Sequence, residues 1–134
     1  MSGERPDYIR HLIRQAFETL EEATVLLNNG FTTGVVNRLY YACFYAVSAV
    51  LASEGHSSSK HSGVMSLFDQ YWVKPGRVPH EMGDFYHLLF KQRQKGDYEC
   101  AEFTPDDLPI WLAEARSFVE RLAEWLRTNA GIEA

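Results

Sequence analysis

The sequence predicts an all-α fold, an antiparallel bundle of four to five helices, and three observations lead there. Apolar residues recur at helical spacing near both ends of the chain, an interior segment is apolar on nearly every side, and the breaks between segments fall on Gly, Pro, Asn and Ser. At 134 residues the chain fits one domain, residues 1–134, and can bury about 70 % of its unfolded surface. Its 8 Phe, 7 Tyr and 3 Trp supply large side chains for that interior.

Each element follows from local pattern. Ile9, Leu12, Ile13, Ala16, Leu20, Ala23 and Leu27 share one helical stripe, Arg10, Arg14, Glu18 and Glu22 lie outside it, and Asn28-Asn29-Gly30 ends the helix. The second helix, Thr33 to Ala52, spreads Val35, Val36, Leu39, Tyr40, Cys43, Phe44, Val47, Val50 and Leu51 over several faces, so other helices must surround it. The short link at Gly30 to Thr32 makes the first two helices an antiparallel hairpin. After a break at Glu54 to Ser59, Ser59 is expected to cap a short third helix holding Val64, Met65, Leu67 and Phe68. Lys74 to Pro79 reads as a loop. Met82, Phe85, Tyr86, Leu89 and Phe90 then mark a fourth helix that should run to about Lys95 and stop near Gly96. Thr104-Pro105-Asp106-Asp107 is a start signal, with a cap, Pro at the first helical position and carboxylates at the positive end of the dipole. The fifth helix packs Leu108, Trp111, Leu112, Ala115, Phe118, Val119, Leu122, Trp125 and Leu126 inward and ends before Gly131.

Bulk properties narrow the function. Thirteen Lys and Arg against 18 Asp and Glu give a net charge of −5, which excludes the broad basic face of non-specific nucleic-acid binders but leaves room for a local phosphate site. Cys43 and Cys100 are too few and too distant for a disulfide framework or a zinc site, and Cys43 sits in the apolar helix. Met1 to Pro6 are polar rather than leader-like, and no apolar run is expected to reach the roughly 18 residues of a membrane span. The cytoplasm is the expected location, with no membrane association.

Several constellations are candidates for chemistry. Arg38, mid-helix among Tyr40, Tyr41 and Phe44, cannot lose its charge, so it needs a carboxylate from another element, backbone carbonyls or an anionic ligand. Lys91, Arg93 and Lys95 precede Gly96-Asp97-Tyr98; they serve either as favourable charges at a helix C-terminus or as a ligand turn, and Arg93 with Asp97 at i+4 is a further ion-pair option. His80, Asp84 and His87 share a helix face in the manner of metal ligands, but no fourth ligand accompanies them and a solvated face accounts for them, so no metal and no cofactor is expected. His56 and His61 bracket Ser57-Ser58-Ser59-Lys60, where a helix start can bind an anion with help from Lys60 or simply be capped. There is no G-x-x-x-x-G-K-[ST] loop and no H-E-x-x-H helix.

Three segments together carry a family resemblance. Asn37-Arg38-Leu39-Tyr40-Tyr41-Ala42-Cys43-Phe44-Tyr45-Ala46, then Lys60-His61-Ser62-Gly63-Val64 with Phe68, then Arg93-Gln94-Lys95-Gly96-Asp97-Tyr98 resemble, in order and spacing, the HEPN domain family over about Tyr8 to Leu126. The resemblance implies a bundle of four or five helices that commonly dimerises, in small prokaryotic proteins often encoded beside a minimal nucleotidyltransferase, some of them toxin–antitoxin pairs. Many family members are metal-independent ribonucleases with an R-x(4–6)-H motif. Counted from Arg93, that His would fall at 98, 99 or 100, where this chain has Tyr98, Glu99 and Cys100.

The expected function is therefore a non-catalytic binding component of a nucleotidyltransferase pair, a homodimer taking a nucleotide or RNA segment through Asn37, Arg38, Tyr41, Lys60, His61, Arg93, Asp97 and Tyr98. One alternative is a metal-independent ribonuclease of altered chemistry, in which Arg93 stabilises phosphate charge and Tyr98 or His61 moves protons. A second alternative is a structural dimerisation module in which the arginines are internal ion pairs.

Overall fold

A computed structural model of the chain describes residues 6–98 and 103–133, with the side chains of 96–98 left out. It contains α1 (Pro6–Asn28), α2 (Thr32–Ser53), α3 (His61–Phe68), α4 (His80–Tyr98) and α5 (Asp107–Ala130), with no strand among the described residues. The all-α bundle is as the pattern predicts.

The α1–α2 hairpin is the most extensive packing in the molecule, and α5 and α4 close over the rest of α2. Gly30 makes the turn possible. It takes φ +78°, while Phe31 N–H donates to the Leu26 carbonyl at 3.0 Å and Gly30 N–H to that of Leu27 at 3.1 Å. That double bond pattern terminates a helix on a left-handed residue, where glycine has no Cβ penalty. Beyond the turn Gly34 approaches Leu26 so closely that a Cβ there would lie 3.1 Å from Leu26 Cδ1, which lets the two helices meet from their first turns.

Twelve residues of α2 are buried, from Val35 to Ala52, and the buried apolar side chains of all five helices join in one cluster around them. Apart from Thr32 and Ser53 at its ends, the residues of α2 left half-exposed are Gly34, Asn37, Arg38, Tyr41, Phe44, Tyr45 and Ser48, a single stripe at three- and four-residue spacing. By length and composition α2 is apolar enough to cross a membrane, contrary to the expectation from sequence; 67 % of that window is buried inside the bundle, which accounts for its apolarity.

Four boundaries differ from expectation. Lys60, not Ser59, precedes α3, and no side-chain hydrogen bond caps it. The third helix does not end at Phe68 but widens into a π-helical stretch, Asp69–Val73, because burying Phe68 and Trp72 together keeps the chain coiled. α4 runs through Gly96 to Tyr98. α5 begins at Asp107, not Pro105: Thr104 N–H donates to Asp107 Oδ2 at 3.0 Å while Asp107 N–H donates to the Thr104 carbonyl at 3.0 Å, so the two residues cap each other across a turn that contains Pro105.

The loop after the π-helical stretch is held by a clasp. Glu54, just past α2, accepts from Trp72 Nε1 at 3.1 Å and from Arg77 through both carboxylate oxygens at 2.9 and 2.8 Å. The Arg77 guanidinium also lies 3.8 Å from the centre of the Trp72 ring, and Trp125 of α5 packs edge-on against that ring at 4.7 Å. Glu54→Ala should leave a buried indole N–H without an acceptor and lower the unfolding free energy by about 1–3 kcal/mol in urea denaturation; an unchanged midpoint would show that the clasp contributes nothing.

Candidate functional site

The site is built on the stripe that α2 leaves open. Tyr40 is fully buried, its neighbour Tyr41 half-exposed, and their rings meet edge to face at 5.2 Å. Two other elements deliver polar side chains to this pair of rings.

From the start of α3 comes His61. Its ring tilts over Phe44 at 4.4 Å and lies 5.7 and 5.6 Å from the rings of Tyr40 and Tyr41. His61 Nδ1 and the Tyr40 hydroxyl are 3.1 Å apart. Burial pushes the Tyr40 hydroxyl up to about 12, so it stays protonated; it donates to Nδ1 when the neutral imidazole carries its proton on Nε2 and accepts from Nδ1–H in the other tautomer. His61 itself titrates below its ordinary 6.5, first because it is partly desolvated and second because the Arg93 charge is near. Gly63 is required two residues on: a Cβ there would collide with the Ser58 side chain, whose Oγ accepts from Lys60 N–H at 3.2 Å.

From α4 comes Arg93. Its guanidinium carbon lies 5.2 Å from the centre of the Tyr40 ring and 5.3 Å from that of Tyr41. Its Nε is buried without a hydrogen-bond partner, and among the described residues no carboxylate pairs with the side chain. The aromatic faces hold this cation by their quadrupoles, an attraction that leaves its net charge in place.

Arg38 has the opposite fate. It donates to Glu22 Oε1 of α1 at 3.0 Å and, through Nε and Nη2, to Asn37 Oδ1 at 3.2 and 2.8 Å, while its guanidinium lies 5.4 Å from the Tyr41 ring centre. The carboxylate from another helix, one of the options open in the sequence, is Glu22.

The other candidates divide. Lys60 is exposed at the start of α3 beside His61. The side chains of Asp97 and Tyr98, and Cys100, lie outside the described residues; the backbone of Asp97 and Tyr98 continues α4 about one turn past Arg93. His56 stacks on Tyr71 at 4.1 Å rather than joining His61. His80 pairs with Asp84 at 3.2 Å, whereas His87 turns to Asp69 at 2.6 Å, and no group of three or more potential metal ligands forms among the described residues. Sequence reasoning missed Glu22 and the role of Tyr40. A signal for the first existed, since an antiparallel hairpin centred on Gly30 sets position 22 opposite position 38. For Tyr40 none did, because its partner is 21 residues away across a loop.

In a proton NMR titration His61 should titrate below 6.5, and in Arg93→Ala its value should rise part of the way back, burial being the larger cause. The sign for stability follows: the unfolded chain binds this proton more tightly, so the fold loses stability as the pH falls below about 6.5 through the folded value. An ordinary His61 value in both proteins would contradict this geometry.

A model of the HEPN domain matches residues 9–125. A UPF0332 protein of Thermotoga maritima is 42 % identical over 129 residues, spanning 93 % of this chain and 98 % of that relative. Two proteins of Methanocaldococcus jannaschii, each bearing the name "Putative toxin", are 31 % and 28 % identical over 119 residues; they cover 89 % and 88 % of this chain, and the matches cover 89 % and 81 % of the relatives. With the family model spanning nearly all of the bundle and the Asn37–Ala46, Lys60–Val64 and Arg93–Tyr98 segments lying inside the match, this chain belongs to the HEPN domain family.

Proposed function

We propose that this chain is the toxin-like partner of a minimal nucleotidyltransferase, working in the cytoplasm as a homodimer, and that it binds the phosphate of a nucleotide or RNA segment at Arg93. The observation that carries this reading is the state of Arg93: a half-buried cation resting on two tyrosine rings, with no carboxylate among the described residues to neutralise it. Such a charge at the edge of a low-dielectric interior attracts an anion more strongly than an exposed one does. Tyr41 offers a half-exposed ring for stacking, His61 a ring nitrogen for hydrogen bonding, and Lys60 a second positive charge at the rim. Asn37 and Arg38 border the site. The toxin names of two relatives and the family match support membership in such a pair.

With a net charge of −5 the protein contacts few phosphates. Binding of a labelled single-stranded RNA, followed by fluorescence anisotropy, should therefore weaken with salt on a shallow slope of roughly −1 to −2, about −0.7 per phosphate contacted. Arg93→Ala should abolish that binding; binding that persists in the variant sinks the reading.

One observation favours a second reading, metal-independent RNA cleavage. Burial and Arg93 keep His61 neutral near pH 7, as a general base requires, and in the tautomer whose Nδ1–H donates to the Tyr40 hydroxyl the lone pair of Nε2 is free, with no hydrogen-bond partner among the described residues. His61 would stand in for the motif His that positions 98 to 100 lack, with Arg93 stabilising the phosphate charge. On this reading RNA is cleaved in the presence of a chelator, and His61→Ala and Arg93→Ala each lower the rate by at least about a hundredfold. Cleavage unchanged in Arg93→Ala rejects it.

A further inference from the structure

We propose that the ligand bound at Arg93 inserts a keto-bearing nucleobase, uracil or guanine, into a cleft between the start of α2 and the end of α4; the inference rests on the phosphate reading above and specifies its ligand. The cleft has a volume of about 250 Å³ and is bounded by Thr33, Asn37 and Arg38 on α2, Gln92 and Arg93 on α4, and the Phe103 ring before α5. Arg93 thus belongs to two places at once, the wall of this cleft and the tyrosine platform. A phosphate on its guanidinium sits within one nucleotide of the cleft.

Size limits what enters. Sites that enclose a drug-sized ligand measure roughly 300–1,000 Å³, so this cleft admits one ring system and leaves sugar and phosphate outside. Its floor is apolar, made by Leu26 and the buried Val36, and the ring of Phe103 offers a face against which any base can stack.

The polar lining selects among bases. Asn37 Oδ1 is occupied by two hydrogen bonds from Arg38, so what this amide presents to a ligand is its NH₂ group. The two guanidinium groups are donors only, the Thr33 hydroxyl and the Gln92 amide each bring a donor beside an acceptor, and among the described residues no Asp or Glu lines the cleft. A lining in which donors outnumber acceptors suits a base edge of acceptors, O4 of uracil or O6 and N7 of guanine. Cytosine would set its N4 amino group, a donor, against donors in the place where uracil has O4.

Isothermal titration calorimetry on the full chain with uridine 5′-monophosphate, cytidine 5′-monophosphate and ribose 5-phosphate tests this. Uridine monophosphate should bind roughly tenfold more tightly than either other probe, the scale of one stacked and correctly paired base. Thr33→Phe, at an exposed rim position, should bring uridine monophosphate down to the affinity of ribose 5-phosphate. If all three probes bind wild type equally, the base cleft is wrong while the phosphate site stands. If cytidine monophosphate equals uridine monophosphate and both exceed ribose 5-phosphate, the keto selection is wrong. If none of the three binds, the phosphate reading fails and this inference fails with it.

Discussion

A helix that is apolar on nearly every side has to be covered on nearly every side, and the molecule is organised by how α2 meets that demand. α1 folds back along it through the Gly30 turn, α5 and α4 close the other flanks, and α3 with its π-helical extension fills the remaining end. Between its ends α2 leaves only one stripe, Gly34 to Ser48, out of the core, and Asn37, Arg38, Tyr41, Phe44 and Tyr45 are gathered on it. The elements that cover α2 are also those that bring polar side chains to the edges of the stripe: Glu22 from α1, His61 from α3 and Arg93 from α4. Site and core are two aspects of one packing solution.

The two arginines at this stripe meet different surroundings. Arg38 has a carboxylate and an amide oxygen within hydrogen-bond distance, so its charge is spent inside the fold. Arg93 meets aromatic faces instead, and among the described residues its buried Nε has no acceptor. Leaving a buried donor unpaired costs stability, and natural folds tolerate that where a ligand or a reaction uses the group. His61 answers to the same charge: held neutral by burial and by Arg93, it faces the site as a hydrogen-bonding group and not as a second cation.

The fold was legible because it rests on periodicity. The α1 stripe, the all-round apolarity of α2 and the glycine at position 30 are local signals, and each predicts its element without reference to the others. The boundaries that came out differently depend on tertiary facts: the third helix continues past Phe68 because Trp72 has a place in the core and Glu54 receives its indole N–H. The candidate site was legible only as a list. The sequence names Arg38, His61 and Arg93 but carries no information on which of the two arginines finds a carboxylate, since that depends on the register of α1 against α2 and of α4 against both. The resemblance in the Asn37–Ala46, Lys60–Val64 and Arg93–Tyr98 segments brought the right residues together before the geometry did; the convergence of His61 and Arg93 on Tyr40 and Tyr41 required the packed bundle.

The central claim is that Arg93 serves a ligand and not the fold. The most direct measurement is the unfolding free energy of Arg93→Met in urea, without any ligand present. A cation held by ring faces is replaced by an apolar side chain of similar length at little cost, so the variant should stay within about 1 kcal/mol of wild type. A loss of about 3–5 kcal/mol, the signature of breaking a buried ion pair, would mean that Arg93 is a structural charge, and the account of the site would fall.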